Sequence, residues 1–327
     1  MRELPAGYAV RPATLDPADL EAVLALWIDV DVAALGFPDT NAEDVHAALS
    51  DPRLVLATDS WLVVAPDGRL VGYATVVDRN TSALTEADLY IHPGLSESGD
   101  GDSVGPYLIE AVERRAAEMV GTHGLPTAEV SFIVPTSEKA LIGWLEAARY
   151  DNVRRFNRMD VALTGDERPP VLADGVRIRV ADTSETGRRT VHRLLFDSFA
   201  EHFGTAPESY EAWSARMHAR NSADPGQWWI AEVDGEPAGL AMGDLQYADE
   251  NGGWVKNLGV LKEYRGRGLG RALLQHALAE FAATGRVKAG LGVDTGNETG
   301  ALALYESVGM RPLFQADVWE RRIPTAP

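Results

Sequence analysis

The sequence of 327 residues contains no cysteine. This absence excludes disulfides, thiolate nucleophiles and zinc or iron–sulfur sites with cysteine ligands. A run of 18 apolar residues is also missing, and the N-terminus has neither the apolar core nor the cleavage site of a signal peptide, so we expect a soluble, cytoplasmic protein. Basic residues are scarce, at 30 against 49 acidic ones, and the net charge of −19 excludes a general nucleic-acid binder.

An internal repeat indicates that one fold is present twice. Residues 7–11 (GYAVR) resemble residues 175–179 (GVRIR), and Trp61, Asp67 and Gly72 match Trp228, Asp234 and Gly239. The offsets of 167 and 168 residues are nearly constant, as in a duplicated domain. Residues 164–175 are polar, contain two adjacent prolines and are typical of a linker, so we predict domains over residues 1–165 and 173–327.

Hydrophobic periodicity predicts an α/β fold for each copy. In the second copy, the predicted strands cover residues 176–180, 228–233, 238–245, 254–261 and 289–293, and the predicted helices cover 190–203, 209–220, 270–283 and 301–308. Asp234 and Gly235 predict a two-residue hairpin turn, and Gly309 predicts a left-handed end to the last helix.

Charge is distributed unevenly between the copies. Residues 1–163 carry −14 and residues 164–327 carry −5. Within the second copy, residues 255–271 hold five basic side chains against the single acidic Glu263. A basic patch in an acidic protein predicts an anionic ligand.

The same stretch contains the glycine-rich run Arg265-Gly-Arg-Gly-Leu-Gly270 between a predicted strand and a predicted helix. Glycines let the backbone approach a ligand closely, and N–H groups at a helix start attract anions, so this run is a candidate phosphate or pyrophosphate site. It is not a Walker loop, and Arg271 occupies the last glycine position of the dinucleotide-binding pattern. A glycine-rich turn with solvated arginines is the alternative interpretation.

Two motifs resemble those of the GNAT superfamily of N-acetyltransferases. Arg265, Gly268 and Gly270 match its R/Q-x-x-G-x-G/A signature, and Asn297, Tyr305 and Gly309 match its second motif. The resemblance covers about residues 175–323, the whole second copy. It implies two tandem GNAT folds, each a mixed, mostly antiparallel twisted sheet flanked by helices.

The resemblance also implies acetyl-CoA as co-substrate and assigns roles to particular residues. Backbone groups of Leu258, Gly259 and Val260 would bind the pantetheine arm and the thioester carbonyl. The pyrophosphate would lie against Gly266, Arg267, Gly268, Leu269, Gly270 and Arg271, near Arg265. Asn297 would hydrogen-bond the pantetheine arm, and Tyr305 would protonate the departing thiolate. Its helical spacing alone favours a core aromatic residue at Tyr305, and the resemblance favours the catalytic role.

Several residues near the expected acceptor pocket are candidates for the general base. Glu250 and Asp294 are the carboxylates that we select, and Asp249, Glu201 and His202 are further candidates. Each is also a residue type typical of turns or helix caps. Removal of the proton by a chain of water molecules is another possibility.

The first copy departs from the motifs. Its matching region, residues 88–106, has no lysine or arginine and contains Glu97, Asp100 and Asp102. Two alignments are open, with either Ser96 or Asp100 at the Arg265 position, and Leu145 stands at the position of Tyr305. These carboxylates should weaken or abolish CoA binding, so we predict a degenerate GNAT-like domain that serves as a scaffold and as a candidate wall of the acceptor pocket.

We expect the acceptor to be a primary amine of a small molecule, acetylated by direct attack in a ternary complex without a metal ion. The tandem arrangement resembles the mycothiol synthase family, which acetylates a cysteinyl amine. That family has a functional glutamate four residues before the position of Leu258, where this chain has Trp254. A non-catalytic acyl-CoA sensor and a protein-acetylating enzyme are alternatives. We expect a monomer or homodimer that acts without nucleic acid or membrane.

Overall fold

The chain forms two compact units in the computed structural model, which describes residues 2–78, 82–200, 208–219, 222–296 and 300–325. The first unit comprises Met1–Phe156 and Phe314–Pro327, and the second comprises Asn157–Leu313. Among the helices of the described ranges, none is long and apolar enough to cross a membrane.

The first unit contains a mixed sheet flanked by helices. Its helices are α1 (Pro17–Leu35), α2 (Ala42–Leu49), α3 (Leu56–Asp59), α4 (Pro93–Ser98), α5 (Gly101–Thr122) and α6 (Lys139–Ala147). Its strands are β1 (Ala9–Arg11), β2 (Ser60–Val64), β3 (Leu70–Asp78), β4 (Leu84–Ile91), β5 (Thr127–Pro135) and the C-terminal β12 (Arg311–Pro324), in that order across the sheet. The β4–β5 pair is parallel, and the other neighbouring pairs are antiparallel.

The second unit repeats this plan. Its helices are α7 (Glu185–Phe199), α8 (Tyr210–Ala219), α9 (Leu269–Ala283) and α10 (Ala301–Glu306). Its strands are β6 (Asp151–Ala162, which enters the unit at Asn157), β7 (Val176–Val180), β8 (Ala223–Val233), β9 (Glu236–Asp244), β10 (Gly252–Val260) and β11 (Lys288–Asp294), and they lie in the order β6-β11-β10-β9-β8-β7. Here β10 and β11 are the parallel pair.

Both faces of the second sheet are covered, because strand side chains alternate between two cores. On β9, Leu240 and Met242 pack into one core with α7 and α8, whereas Ala241 packs into the other core with α9 and α10. A ligand that reaches β10 therefore meets a different set of helices on each face of the sheet.

Most predicted elements of the second copy are present with shifted ends. β7 has the predicted bounds, and Asp234 (φ 52°) and Gly235 (φ 88°) form the predicted hairpin turn. Gly309 (φ 91°) adopts the predicted left-handed conformation. Helix α7 begins at Glu185, five residues before the predicted start, because the Ser184 hydroxyl caps it by accepting a hydrogen bond from the Gly187 N–H.

The last strands differ from the sequence analysis, which predicted neither β6 nor β12. Met159 of β6 is buried in the core of the second unit, and Trp319 and Ile323 of β12 are buried in the core of the first. The domain boundaries predicted at residues 165 and 173 were placed at the linker. The compact units have other boundaries, at residues 156 and 313, because β6 and β12 pack into the two cores. The first unit thus includes residues 314–324 of β12, from the C-terminal end of the sequence, and the second unit begins within β6, at Asn157.

This arrangement predicts that Trp319→Ala destabilises the first unit although the residue lies near the C-terminus. Trp319 is 6% exposed and pairs with Phe132 of β5, so truncation should cost about 3–5 kcal/mol. Leu313→Ala, on the same strand but 37% exposed, is the matched control and should cost about 1 kcal/mol or less. Hydrogen exchange should rise in residues 84–91 and 127–135, and a rise confined to residues 252–260 would contradict the assignment.

Candidate active site

Strand β10 has two strand neighbours over its first half and one over its second half. Residues 252–255 lie opposite residues 288–291 of β11, and residues 257–260 lie opposite residues 242–239 of β9. The register with β9 shifts between Val255 and Asn257, which marks a β-bulge at Lys256. Beyond the bulge, in the described part of the chain, β10 has no recorded pairing with β11. This opening leaves Leu258, Gly259 and Val260 with a strand neighbour on the β9 side and none on the β11 side.

A glycine turn connects β10 to α9. Gly266 (φ 76°) and Gly268 (φ 79°) are left-handed, and Gly268 is the N-cap of α9. The first bond of the helix runs from the Ala272 N–H to the Gly268 carbonyl, so the N–H groups of residues 269–271 precede it and have no partner within the helix. A Cβ on Gly266 or Gly268 would meet no atom within 4 Å. The turn is therefore open enough for a pyrophosphate to approach the backbone.

The three arginines of the turn have different surroundings. Arg265 donates from Nε to the Val260 carbonyl and from Nη2 to the Ser198 carbonyl, each at 3.1 Å. It therefore fastens the turn to β10 and to the end of α7. Arg267 lies over the Tyr264 ring at 5.4 Å, and Arg271 donates a long bond of 3.5 Å to the Ser307 carbonyl. Arg267 and Arg271 are the better placed cations for a bound anion.

Tyr305 lies near the end of the short helix α10. Its side chain is 7% exposed, and burial raises the pKa of its hydroxyl to about 12. A Cβ on Gly270 would lie 3.5 Å from Leu304 Cδ2, which places α10 against the first turn of α9. The structure thus brings a protonated phenol, on a neighbouring helix, to the part of the molecule that contains the glycine turn.

The structure does not bring the two selected carboxylates together. Glu250 precedes β10 and forms an ion pair with Lys288, which lies opposite Gly252. Residue 258 is six residues further along, about 20 Å at the rise of a strand, so the geometry gives Glu250 no access to the opening. The sequence placed Glu250 near β10 without showing which end of the strand forms the site.

The remaining candidates have other positions. Asp294 ends β11 at the edge where the opening lies, and its Oδ1 accepts a hydrogen bond of 2.8 Å from the Gly296 N–H. This bond is that of an Asx turn, so the carboxylate has a local structural function. Asn297, Glu201 and His202 lie outside the described residues, as does the side chain of Asp249.

A cavity of about 190 Å³ lies on the α7 and α8 face of the same sheet. Its lining includes Trp213 of α8, Met242 and Asp244 of β9, and Lys256 and Asn257 at the bulge of β10. Asp244 is not recognisable from the sequence, because only the register of β9 and β10 shows that this strand-end carboxylate lies beside the bulge. Within the described ranges, no group of three or more His, Asp or Glu side chains is arranged to hold a metal ion.

The first unit repeats the opening but not the turn. Residues 84–87 of β4 pair with residues 129–132 of β5, and helix α4 follows β4 directly. At the start of α5, Asp100 accepts a hydrogen bond of 2.9 Å from the Tyr8 hydroxyl, and Asp102 accepts one of 3.0 Å from the Trp144 indole. Carboxylates therefore occupy the end of α5 that attracts negative charge. The left-handed Gly99 (φ 82°) resembles Gly268 and supports the alignment with Ser96 at the Arg265 position.

The structure supports the alignment of Leu145 with Tyr305. Leu145 is fully buried, and its carbonyl accepts a hydrogen bond from the Tyr150 N–H, as the Tyr305 carbonyl does from the Met310 N–H. Arg149 (φ 64°) is left-handed like Gly309. The first unit thus has an apolar side chain where the second has a hydroxyl.

Fold and site together define an acyl-CoA-dependent acetyltransferase, and the chain belongs to the GNAT acetyltransferase family. Residues 188–310 match the model of the Acetyltransferase (GNAT) family. The chain is 32% identical over 313 residues to the mycothiol acetyltransferase of Streptomyces griseus, covering 90% of this chain and 89% of that one. It is 28% identical over 307 residues to the mycothiol acetyltransferase of Streptomyces coelicolor.

Solved structures confirm the predicted tandem fold. A GCN5-related N-acetyltransferase from Sphaerobacter thermophilus matches with a TM-score of 0.82 and 26% identity, over 99% of this chain and 98% of that chain. A tandem GNAT protein from the clavulanic acid biosynthesis pathway matches with a TM-score of 0.71 and 17% identity, over 98% and 99% of the two chains. At 17% identity, the match to the tandem GNAT protein shows a similar fold and no more.

The glycine turn predicts weaker CoA binding for one Gly→Ala variant and unchanged binding for its neighbour. Gly268→Ala places a side chain at φ 79°, which costs about 1–2 kcal/mol or shifts the turn, so CoA should bind about tenfold more weakly. Gly270→Ala is the control, because its Cβ would meet Leu304 and Val260 only at ordinary distances of 3.5 and 3.8 Å. Calorimetry should show CoA affinity within twofold of wild type for Gly270→Ala, and equal affinity in both variants would refute the role of the turn.

The contrast between the units predicts a stoichiometry for the full-length chain. Among the described residues, the second unit combines an open glycine turn with nearby arginines, whereas the first has Asp100 and Asp102 at the corresponding helix end. Calorimetric titration with CoA should therefore give one site per chain. Two sites of similar affinity would show that the first unit still binds the co-substrate.

Proposed function

We propose that the second unit transfers the acetyl group of acetyl-CoA to a primary amine of a small molecule, by direct attack in a ternary complex. The observation that carries this proposal is the end of the β10–β11 pairing at Val255 and Leu291, followed by an open glycine turn at the start of α9. The opening suits an extended amide-containing arm, and the turn suits a pyrophosphate. The reaction as proposed requires no metal ion.

The residues proposed to hold the co-substrate follow the course of the chain. Leu258, Gly259 and Val260 present the free edge of β10 to the pantetheine arm. The N–H groups at Gly266 to Arg271 receive the pyrophosphate, with Arg267 and Arg271 adding positive charge. Arg265 acts indirectly, because its bonds to the Val260 and Ser198 carbonyls fix the turn. Asn297 is proposed as a further partner of the arm.

Tyr305 is proposed to protonate the thiolate that leaves. Burial disfavours the phenolate, so the raised pKa of Tyr305 keeps its proton in place at neutral pH. Apolar surroundings also raise the pKa of a thiol, so a departing thiolate beside this buried phenol is a stronger base than it is in water. Glu250 and Asp294 were selected as bases from the sequence, and the geometry gives Glu250 no support in that role.

A second candidate acceptor is the cysteinyl amine of a mycothiol precursor, which the similarity to mycothiol acetyltransferases favours. Against it, Trp254 stands where the mycothiol synthase family has its glutamate, and the cavity lined by its strand partner Asp244 measures about 190 Å³. We propose that the enzyme works in the cytoplasm as a monomer or homodimer, independently of nucleic acid and membrane. The first unit is proposed to be a scaffold without CoA.

A thiol-release assay with acetyl-CoA tests the function directly. The panel should contain arylalkylamines, amino sugars, polyamines, amino acids and a cysteinyl glycoside. Release that depends on at least one amine is expected. Measurable CoA binding without release for any amine would favour the non-catalytic sensor.

Tyr305→Phe should lower kcat about 100-fold or more while leaving the affinity for acetyl-CoA unchanged, because it removes a proton donor and little volume. In wild type, ionisation of the Tyr305 hydroxyl should lower activity at high pH. Because burial raises its pKa to about 12, this loss should begin only towards pH 12. Tyr150→Phe, at a buried tyrosine of the first unit, is the matched control and should keep wild-type kcat. Equal kcat in wild type and Tyr305→Phe would remove Tyr305 from the mechanism.

A further inference from the structure

Helix α7 packs closely against β10 at Gly259, within the segment proposed to bind the pantetheine arm. A Cβ on Gly259 would lie 2.6 Å from the Ser198 Cβ and 3.0 Å from the Ser198 Oγ. Any side chain at this position would therefore force α7 away from the strand. Glycine at position 259 allows the serine hydroxyl to lie against the backbone of the opening.

The side chains of β10 show which face of the opening the serine covers. Leu258 and Val260 pack into the core formed with α9 and α10, so alternation turns the Gly259 position to the opposite face, towards α7. The cavity of about 190 Å³ lies on this same α7 and α8 face of the sheet. Ser198 therefore covers the opening on the face that has room for an acceptor.

The pairing pattern shows which backbone groups of β10 turn towards the side without a strand neighbour. The Leu261 N–H donates to the Ala238 carbonyl at 2.9 Å. Bonded residues alternate in an antiparallel pair, so Gly259 also faces β9, whereas Leu258 and Val260 turn their N–H groups to the β11 side. A ligand carbonyl that accepts a bond from either N–H lies beside Gly259, next to the serine hydroxyl.

The Ser198 hydroxyl is buried without a hydrogen-bond partner among the described residues. The side chain is 3% exposed, and its Oγ is not bonded to any of them. A buried hydroxyl in this condition costs free energy in the unliganded protein. The Ser198 carbonyl, by contrast, accepts the bond of 3.1 Å from Arg265 Nη2, which fixes the residue between α7 and the glycine turn. A donor held in this way is preorganised for an acceptor atom of a ligand.

We infer that the Ser198 hydroxyl donates a hydrogen bond to the thioester carbonyl oxygen of acetyl-CoA and stabilises the negative charge that develops on this oxygen during acetyl transfer. The inference rests on the proposed function and deepens it by adding a catalytic residue to the same site. A pantetheine arm that runs from the glycine turn along β10 places its acyl end where β10 parts from β11, and Gly259 belongs to that segment. Preorganised donors beside a developing oxyanion contribute strongly to acyl transfer.

The serine keeps its own proton throughout the step, and the electrons balance among the other groups. The lone pair of the neutral amine forms a bond to the carbonyl carbon, and the π electrons of the carbonyl move to the oxygen beside Ser198. When the double bond to this oxygen forms again, the carbon–sulfur bond breaks and the thiolate takes the proton of Tyr305. The nitrogen releases one proton to water and Tyr305 regains one, so the products are the acetamide and the free thiol.

Ser198→Ala should lower activity without lowering stability. Thermal unfolding of the full-length chain without ligand should give a Tm equal to that of wild type or higher, because the variant removes a buried hydroxyl that has no partner among the described residues. The kcat for an amine from the thiol-release panel should fall about 100-fold. Ser184→Ala is the matched control on the same helix. It removes the hydroxyl that caps α7, so it should lower the Tm and keep wild-type kcat.

Binding without an acceptor amine tests the hydrogen bond in the absence of turnover. In calorimetry, Ser198→Ala should bind acetyl-CoA about threefold to tenfold more weakly than wild type, whereas its affinity for CoA, which lacks the acetyl carbonyl, should stay within about twofold. Infrared difference spectra of acetyl-CoA with an isotope label at the acetyl carbonyl should show a lower carbonyl stretching frequency in wild type than in Ser198→Ala, because a hydrogen bond weakens the double bond. Equal frequencies, or an equal loss of affinity for both ligands, would overturn the inference.

The outcomes separate this inference from the proposed function. If wild type acetylates amines and Ser198→Ala does so with kcat within about threefold, the proposed function stands and Ser198 is not a catalytic residue. If wild type binds acetyl-CoA and acetylates no amine, the proposed function fails. In that case a carbonyl frequency that depends on Ser198 would still support the hydrogen bond to the thioester, and a frequency that does not depend on it would overturn the inference too.

Discussion

The site depends on a strand that loses one neighbour while it keeps the other. Backbone N–H and carbonyl groups away from water require partners, and beyond the bulge at Lys256 the strand β10 has β9 as its strand neighbour, while its Val260 carbonyl also accepts a hydrogen bond from Arg265. The free edge at Leu258 to Val260 thus favours a ligand with peptide-like amides. Because β10 leads directly into a turn with left-handed Gly266 and Gly268, the same feature places a helix N-terminus at the end of that edge. Arg265 joins the two parts by its bonds to the Val260 and Ser198 carbonyls.

The two units show how one fold supports different ligand chemistry. Both have a parallel strand pair that is only partly hydrogen-bonded and a long helix that starts nearby. In the second unit, arginines accompany that helix start, whereas in the first unit Asp100 and Asp102 are held there by Tyr8 and Trp144. A carboxylate about 6 Å from a phosphate charge costs roughly 2–3 kcal/mol at an effective dielectric constant near 20. The charge of −14 in residues 1–163 is consistent with our proposal that this half does not bind CoA.

Local features were predictable from the sequence, and features that depend on register were not. The glycine turn, the hairpin at Asp234 and the left-handed Gly309 need backbone conformations that few residue types other than glycine adopt. The sequence therefore predicts them. Glu250 was selected because it precedes β10, but only the pairing of Gly252 with Lys288 shows that it lies at the outer end. Asp244 was missed for the same reason, since its position beside Trp254 is a property of two paired strands. The positions of β6 and β12 in the sheet likewise depend on tertiary pairing, because no local signal indicates which strands a terminal strand pairs with.

The central claim is that the backbone of β10 and of the glycine turn binds acetyl-CoA. Hydrogen exchange of the full-length chain with and without acetyl-CoA tests this claim most directly, because it reports on those backbone N–H groups. The account predicts slower exchange at residues 257–260 and 266–271 when acetyl-CoA is present, and no change at residues 88–103. Protection of residues 88–103, or unchanged exchange at residues 257–260 and 266–271 under saturating acetyl-CoA, would contradict it.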